Sequence, residues 1–240
     1  DNKLSSLIIG KSLQTIGINA FANNELTSLD LGESTSAIKR SAFANNQLEE
    51  LNITSNIREI GDSAFADNPL QRLSFEDGIT TIGLRAFSGL QLKSVNLPSS
   101  LRSIGALAFY NNQIEVVNLP NGLSSIGNSA FDNNQLSKIN IPNSVTELGV
   151  GVFSRNLLAS AAIGDGITDI PSSLFEDNLL STIAISDNVE IIGASAFAYN
   201  KLTEIIISDN VVEIGERAFY RNEISSLTMG SGIVAIEPYT

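Results

Sequence analysis

Three aspartates recur at an interval of 22 residues in the second half of the chain: Asp165, Asp187 and Asp209. If successive 22-residue segments stack as coils, neighbouring carboxylates lie about 5 Å apart. That distance is close to the ~5–5.5 Å of a retaining glycosidase pair, and three carboxylates also suit a hard cation such as Ca²⁺. Each aspartate stands where a turn follows a strand. A separate turn role for each is therefore favoured over a metal site that holds calcium, and over catalysis.

Two absent residue types exclude most other chemistry. The chain contains neither histidine nor cysteine, which excludes Ser-His-Asp and Cys-His nucleophiles and zinc sites built on His or Cys. Glycines recur at the coil interval and are assigned to turns, so no phosphate-binding loop is indicated. We therefore predict that the chain is not an enzyme and carries no resident cofactor, with calcium as the one cation to consider.

A row of polar residues in the first half and middle of the chain is the candidate binding surface. These residues occupy the outward positions of a predicted strand in successive repeats. A row of amides, hydroxyls and charges can hydrogen-bond a protein strand or a polysaccharide, although a sheet facing water needs a polar outer side in any case. The residues assigned to this surface are Asn52, Arg72, Asn96, Asn118, Lys138 and Asn140.

The elements that position these residues follow from a strict 22-residue repeat. Ten phenylalanines from Phe21 to Phe219 are evenly spaced, and the segment I-G-x-x-A-F-x-x-N returns with them. A fixed period in the twenties is typical of a solenoid, whose coils bury their apolar sides against one another. The unbroken register predicts one elongated domain over residues 1–240, with ten full coils and a partial eleventh stacked at roughly 4.8 Å each.

Each coil is predicted to contain two short parallel strands and one helical turn. We number a coil from the residue after the recurring Asn, so that Gln113 is position 1 and Asn134 is position 22. Alternating apolar residues around positions 5 to 7 predict the first strand, and a second extended segment ends at the Gly of position 15. The Ala-Phe segment suits a helical turn that directs the ring into a stacked ladder. The Asn column at position 22 is predicted to satisfy backbone groups at this corner.

Charge and length bound the partners. The net charge is −12, and residues 121–240 contain five basic and fourteen acidic residues. Nucleic acid is not expected as a partner, because phosphate backbones need clustered Lys and Arg. No apolar run approaches the ~18–20 residues that cross a bilayer, so no membrane insertion is expected for this segment. Asp1-Asn2 fits the end of a preceding repeat and residues 237–240 resemble a cap or linker, which predicts a fragment of a longer chain.

The pattern L-x-x-L-x-L-P-x-x-L-x-x-I-G-x-x-A-F-x-x-N, as in Leu92 to Asn112, resembles the BspA-like class of bacterial leucine-rich repeats. The resemblance covers essentially the whole chain. It departs from the family pattern in its period of 22 rather than 23 residues and in carrying Asn where the family commonly has Cys. The resemblance implies an α/β leucine-rich-repeat fold, a right-handed curved solenoid with a parallel sheet on one face, in a bacterial surface or secreted protein engaged in adhesion.

The resemblance, taken with the polar strand row, implies a non-catalytic protein-binding or adhesion module of a bacterial cell-surface or secreted protein, whose partner is a host or extracellular protein. Two alternatives stay open: a spacer or targeting array attached to a carbohydrate-active enzyme, and a glycan-binding solenoid. Sugar sites usually need an aromatic platform, and Tyr110, Tyr199 and Tyr220 are the candidates. All three are expected at the corner of the coil, away from the outer strand row.

Overall fold

The chain folds into a parallel β-solenoid of about ten turns, in a computed structural model that describes residues 2–240. Asp1, the first residue of the predicted preceding-repeat tail, lies outside the described residues. Within them, no helix is present that could span a membrane. The strands are β1 (Ser6–Ile8), β2 (Thr15–Ile16), β3 (Ser28–Asp30), β4 (Ala37–Ile38), β5 (Glu50–Ile53), β6 (Glu59–Ile60), β7 (Arg72–Phe75), β8 (Thr81–Ile82), β9 (Ser94–Asn96), β10 (Ser103–Ile104), β11 (Val116–Asn118), β12 (Ser125–Ile126), β13 (Lys138–Asn140), β14 (Glu147–Leu148), β15 (Ser160–Ala162), β16 (Asp169–Ile170), β17 (Ile191–Ile192), β18 (Glu204–Ile206), β19 (Glu213–Ile214), β20 (Ser226–Thr228) and β21 (Ala235–Ile236).

These strands form two lines along the solenoid, and their sheets differ in continuity. The two-residue strands, here called short strands, form one seven-stranded sheet from β2 to β14 and one four-stranded sheet of β16, β17, β19 and β21. The strands of three or four residues, here called long strands, pair only two by two: β1 with β3, β5 with β7, β9 with β11, β13 with β15, and β18 with β20. All pairs are parallel, and partners are 22 residues apart, as in Val117 and Val95.

The segment around each Ala-Phe is a pair of tight turns, so the predicted helical turn is wrong. Positions 17 and 21 of the coil have positive φ, as in Ser129 (+53°) and Asn133 (+58°). These are left-handed values, and a right-handed helix cannot continue through them. Residues 2–240 accordingly contain strands, turns and extended segments but no helix, and the α component of the predicted fold class is absent from them.

Hydrogen bonds between coils explain why the corner is not helical. The N–H of Ala130 donates to the carbonyl of Gly127, three residues earlier, at 3.2 Å. The N–H of Phe131 instead donates to the carbonyl of Val152 in the next coil at 3.0 Å. Alternate N–H groups thus point along the solenoid, where they form a third line of bonds between coils instead of the i to i−4 bonds of a helix.

The phenylalanine ladder fills the core, as predicted. All nine successive pairs from Phe21 to Phe219 are stacked, with ring centroids 5.2 to 5.9 Å apart. The eight rings from Phe43 to Phe197 are fully buried. Offset stacking adds to the stabilisation that comes from burying the rings. The glycine at position 15 lets neighbouring coils approach, because a Cβ on Gly105 would lie 2.6 Å from the carbonyl carbon of Gly83.

The asparagine column joins each coil to its neighbour. Asn134 accepts a hydrogen bond from the N–H of Ile114 at 3.1 Å. Its amide nitrogen donates to the carbonyl of Phe109, one coil back, at 2.9 Å, and to that of Phe131 at 3.1 Å. The predicted structural role of this column is therefore confirmed. Leu90 occupies the same position in the fourth coil and supplies neither group.

Candidate binding surface

The outer side of the long strands is the exposed face of the solenoid on which the predicted binding residues lie. We call it the long-strand face. Along β5, β9 and β13 the side chains alternate between buried apolar and exposed polar, as in Ile139, which is buried between the exposed Lys138 and Asn140. In β11 the exposed residues are Val116 and Asn118, on either side of the buried Val117. This alternation follows from the period of two in a half-buried strand. The six predicted residues Asn52, Arg72, Asn96, Asn118, Lys138 and Asn140 are all exposed there.

The first depression on this face lies over β3, β5 and β7 and has a volume of about 750 Å³. Arg72 stands opposite Glu50 in the register of the two strands and forms an ion pair with it. Beside this pair, the Ser74 hydroxyl donates to the side-chain oxygen of Asn52 at 2.8 Å. Both interactions are exposed to water and contribute little to stability. They place the four polar groups side by side on this face.

A second depression, of about 350 Å³, lies over β11, β13 and β15. Asn118, Lys138 and Asn140 line it together with small side chains of β15. The structure therefore places five of the six predicted residues in two depressions of one face. Asn96 lies between them on β9, paired in register with Asn118.

Sequence reasoning missed residues that line the first depression from outside the strand row. Thr27, Gln47 and Glu49 occupy positions 1 and 3 of their coils, before the long strands begin. Alternation indicates only the strand itself, so it predicts outward residues at positions 4 and 6 alone. The spacing signal that would have found these three residues is polar occupancy of positions 1 and 3 next to outward charges in the same coil.

The long-strand face becomes apolar toward the end of the chain. Ala162, Ala184 and Ile206 occupy position 6, where Asn118 and Asn140 stand in earlier coils. A third depression, of about 380 Å³, is lined here by residues that include Ile206, which is 61 % exposed. Beyond residue 160 the row at position 6 is thus apolar up to Ile206, whereas position 4 stays polar, as at the exposed Glu204.

The aspartate column is spread over separate turns. The Asp165 carboxylate accepts from the amide of Asn143 at 3.4 Å and from the hydroxyl of Ser186 at 3.2 Å. Asp209 accepts from the backbone N–H of Ser231 at 2.8 Å, and this bond, with a second from the Ser231 hydroxyl, lowers the pKa of Asp209. Asp187 contributes its carbonyl oxygen, which accepts from a side-chain amide. Within residues 2–240 no group of three or more His, Asp or Glu side chains is placed to hold a metal ion.

A bidentate ion pair joins two coils at the corner away from this face. Arg155 donates from Nε to Oδ1 of Asp132 at 3.0 Å and from a terminal nitrogen to Oδ2 at 2.5 Å. The Asp132 side chain is only 6 % exposed, whereas that of Arg155 is 52 % exposed. Burial raises the pKa of Asp132 above its usual value, and the charge of Arg155 acts in the opposite direction. The pair connects residues 23 positions apart, in successive coils.

Solved structures with the same fold come from bacteria. The pneumococcal vaccine antigen PcpA is 23 % identical with a TM-score of 0.64, over 93 % of this chain and 61 % of that chain. A leucine-rich repeat protein from Bacteroides ovatus is 25 % identical with a TM-score of 0.62, over 95 % of this chain and 73 % of that chain. A leucine-rich cell surface protein from Faecalibacterium prausnitzii is 21 % identical with a TM-score of 0.51, over 91 % and 77 % of the two chains.

Sequence comparison identifies the repeat itself. No curated protein shows significant sequence similarity to this chain. The family model for the BspA-type leucine-rich repeat region matches residues 1–90, 58–181 and 168–240, in six copies. These ranges together span the whole sequence, and the matched repeat contains the Phe and Asn columns that hold the coils together. The chain therefore belongs to the BspA-type leucine-rich repeat family.

Proposed function

We propose that this solenoid is a non-catalytic protein-binding module of a bacterial cell-surface or secreted protein, and that it contacts an extended protein segment through the long-strand face. The observation that carries this proposal is the position of Asn52, Arg72, Asn118, Lys138 and Asn140 around two depressions on one exposed face. The face offers hydrogen-bond donors, acceptors and charges of both signs. These are the groups that fix the register of a bound polypeptide.

Repeat geometry supports an extended partner over a compact one. The long strands present equivalent positions once per coil, so the face repeats its side-chain rows along the solenoid axis. Stacked repeats commonly use such an elongated surface to bind partners. A segment that runs across β5 to β13 would meet both depressions and Asn96 between them. The charge pair at one end and Lys138 at the other would give the binding a direction.

The descriptions of two proteins with the same fold support the proposed location on the cell surface or outside the cell. One of them is described as a vaccine antigen and another as a cell surface protein. A module exposed outside the cell would meet host or other extracellular proteins, and we infer an adhesive role for it on this ground. The absence of His and Cys from the sequence supports the non-catalytic part of the proposal.

Binding to an immobilised panel of extracellular matrix proteins tests the proposal. We expect at least one of them to bind. Arg72→Glu and Lys138→Glu should each raise the dissociation constant about tenfold, which corresponds to about 1.4 kcal/mol of binding free energy. Arg85→Glu is the matched control, because Arg85 is also an exposed arginine but lies on the corner of the coil. Equal losses for Arg72→Glu and Arg85→Glu would show that net charge, and not the long-strand face, governs binding.

A further inference from the structure

A cluster of tyrosines and arginines lies at the corner of the last coils, on a different side of the solenoid from the long-strand face. We call it the tyrosine–arginine patch: Tyr199, Arg217, Tyr220, Arg221 and Tyr239. The guanidinium carbon of Arg217 lies 5.9 Å from the ring centre of Tyr220 and 5.4 Å from that of Tyr239. That of Arg221 lies 5.5 Å from the Tyr220 ring centre. The Tyr199 and Tyr220 rings meet edge to face at 5.6 Å.

Four members of the patch occupy backbone positions that disfavour them. Positions 17 and 21 have positive φ throughout the solenoid, and mostly Asn, Ser, Asp or Gly fill them in other coils. Tyr199, Arg217, Arg221 and Tyr239 adopt φ of +56° to +60° at these positions. Bulky side chains are strained in this region, whereas Asn and Gly tolerate it. Ser173 and Ser195 show that the fold accepts small residues there, so the coil itself does not require these four side chains.

The patch brings two arginines together on an acidic chain. Two of the five basic residues of the second half lie in it. Arg221 donates from Nε to the Tyr220 hydroxyl at 3.3 Å, and this contact lowers the pKa of Tyr220. The Arg217 guanidinium forms an exposed ion pair with the Glu216 carboxylate at 3.4 Å. Both guanidinium groups lie against one tyrosine ring, and stacked guanidinium groups suit a planar anion.

The exposed tyrosine rings indicate the kind of ligand to which the anionic group belongs. Tyr199 is 48 % exposed and Tyr239 is 71 % exposed. Tyrosine offers an apolar ring surface together with a hydroxyl, which suits contact with a sugar ring. The nearby depression is lined by Ser154, Arg155, Glu176, Asp177 and Tyr199. Its two carboxylates repel an anion, so the anionic groups of the ligand are assigned to Arg217 and Arg221 and its sugar ring alone to the Tyr199 side of this depression. The depression lacks the apolar walls that anchor a peptide side chain.

The patch also repeats along the solenoid axis. Arg217 and Tyr239 share position 17 in successive coils, and Tyr199 and Arg221 share position 21. Two neighbouring rows thus present one aromatic and one cationic group each, spaced by one coil, roughly 4.8 Å. A linear polymer with anionic groups would be contacted by both rows at once. We propose that the tyrosine–arginine patch is a binding site for an acidic polysaccharide, bearing sulfate or carboxylate groups, that is separate from the protein-binding face.

Titration of the chain with heparin as a sulfated polysaccharide and polygalacturonate as a carboxylated one tests this site. We expect at least one of them to bind, with an affinity that falls as salt rises, and neutral dextran not to bind. The double variant Arg217→Gln/Arg221→Gln should weaken binding about tenfold or more. The matched control Arg85→Gln/Lys201→Gln makes the same change in net charge elsewhere and should stay within about twofold of the parent.

Three outcomes would overturn the assignment. The first is absence of binding to both acidic polysaccharides, and the second is an equal loss in the two double variants. The third is equal binding of poly-glutamate, which would identify the site as one for acidic peptides. Tyr199→Ser and Tyr239→Ser separate ring contact from charge, because they keep both arginines. We expect each to weaken polysaccharide binding while the urea midpoint is unchanged or higher, since serine suits the positive φ.

Discussion

Replacing Asn134 by leucine tests whether the asparagine column holds the coils together by hydrogen bonds. The side chain is buried, with 6 % exposure, and leucine fits this position because Leu90 occupies it in the fourth coil with 4 % exposure. The substitution therefore keeps the packing approximately constant and removes the polar groups. What changes is the set of bonds to Ile114, Phe109 and Phe131, together with a longer bond to the carbonyl of Asp132 at 3.4 Å.

The expected cost follows from which of these groups keep a partner. The N–H of Ile114 loses its acceptor inside the core, which costs about 1–3 kcal/mol. The carbonyls of Phe109 and Phe131 each keep one donor, from Asn112 and Asn156. Losing the second bond costs roughly 0.5–1.5 kcal/mol each. Burial of the leucine side chain offsets about 1.5–3 kcal/mol. With mid-range values for each contribution, we therefore expect Asn134→Leu to lower the free energy of unfolding by about 2 kcal/mol.

Urea unfolding gives the free-energy change, and amide hydrogen exchange locates it. We expect faster exchange of the Ile114 amide in the variant. Asn118→Leu is the matched control, because it makes the same replacement at an exposed position of β11 and should change stability by less than about 0.5 kcal/mol. The reverse change, Leu90→Asn, should stabilise the chain by about 1–2 kcal/mol, since it offers Leu70 the acceptor that Ile114 has.

Two results would refute this reasoning. One is a loss below about 0.5 kcal/mol for Asn134→Leu with unchanged protection of the Ile114 amide. The other is destabilisation by Leu90→Asn. Either would mean that apolar packing alone holds the corner and that the asparagine bonds are replaceable by water.

Further substitutions test the core, the surface and the charges. Phe109→Ala should cost about 3–5 kcal/mol of stability in urea unfolding, because it opens a cavity in the ladder. A loss below about 1 kcal/mol would contradict a buried ladder. Asn118→Ala, on the exposed face, should barely change stability. Arg155→Met should cost about 1–3 kcal/mol at pH 7, because it leaves the buried Asp132 carboxylate without its partner. Since the folded-state pKa of Asp132 lies above the unfolded value and rises further without Arg155, its protonated form favours folding. The loss should therefore shrink as the pH falls through the folded-state pKa toward the unfolded value, whereas a loss independent of pH would show that Arg155 acts by packing. Calcium at millimolar concentration should leave the melting temperature unchanged, because Asp165 and Asp209 bond to separate turns; a rise that Asp187→Asn abolishes would instead establish the cation site.

Much of the fold could be predicted from the sequence, because the same residue type returns at the same position of nearly every coil. The phenylalanine of Phe109 and the asparagine of Asn112 recur in nearly every coil, and each residue type can serve only one structural role at its position. A large ring can stack only inside, and a buried amide must find several partners. The strand face was also readable, since alternation around Val117 and Ile139 identifies outward positions. Five of the six residues assigned to the candidate surface line depressions on that face.

Two features of the surfaces were not readable in this way. Thr27 and Glu49 precede the strands, and only the arrangement of neighbouring coils brings them to the first depression. The tyrosine–arginine patch combines residues of different columns, from Tyr199 to Tyr239, whose side chains meet across coils. Sequence spacing placed Tyr199 and Tyr220 at the corner without indicating that arginines lie on their rings.

By itself the sequence determined the 22-residue period, the parallel in-register stacking, the buried ladder and the asparagine column, because each depends on residue type at a fixed interval. Only the tertiary structure decided the form of the corner. The Ala-Phe segment is locally compatible with a helical turn, but the N–H of Phe131 bonds to Val152 in the next coil. Such a bond joins residues that are distant in sequence, and its formation favours left-handed turns over a helix that would have used the same group within the coil.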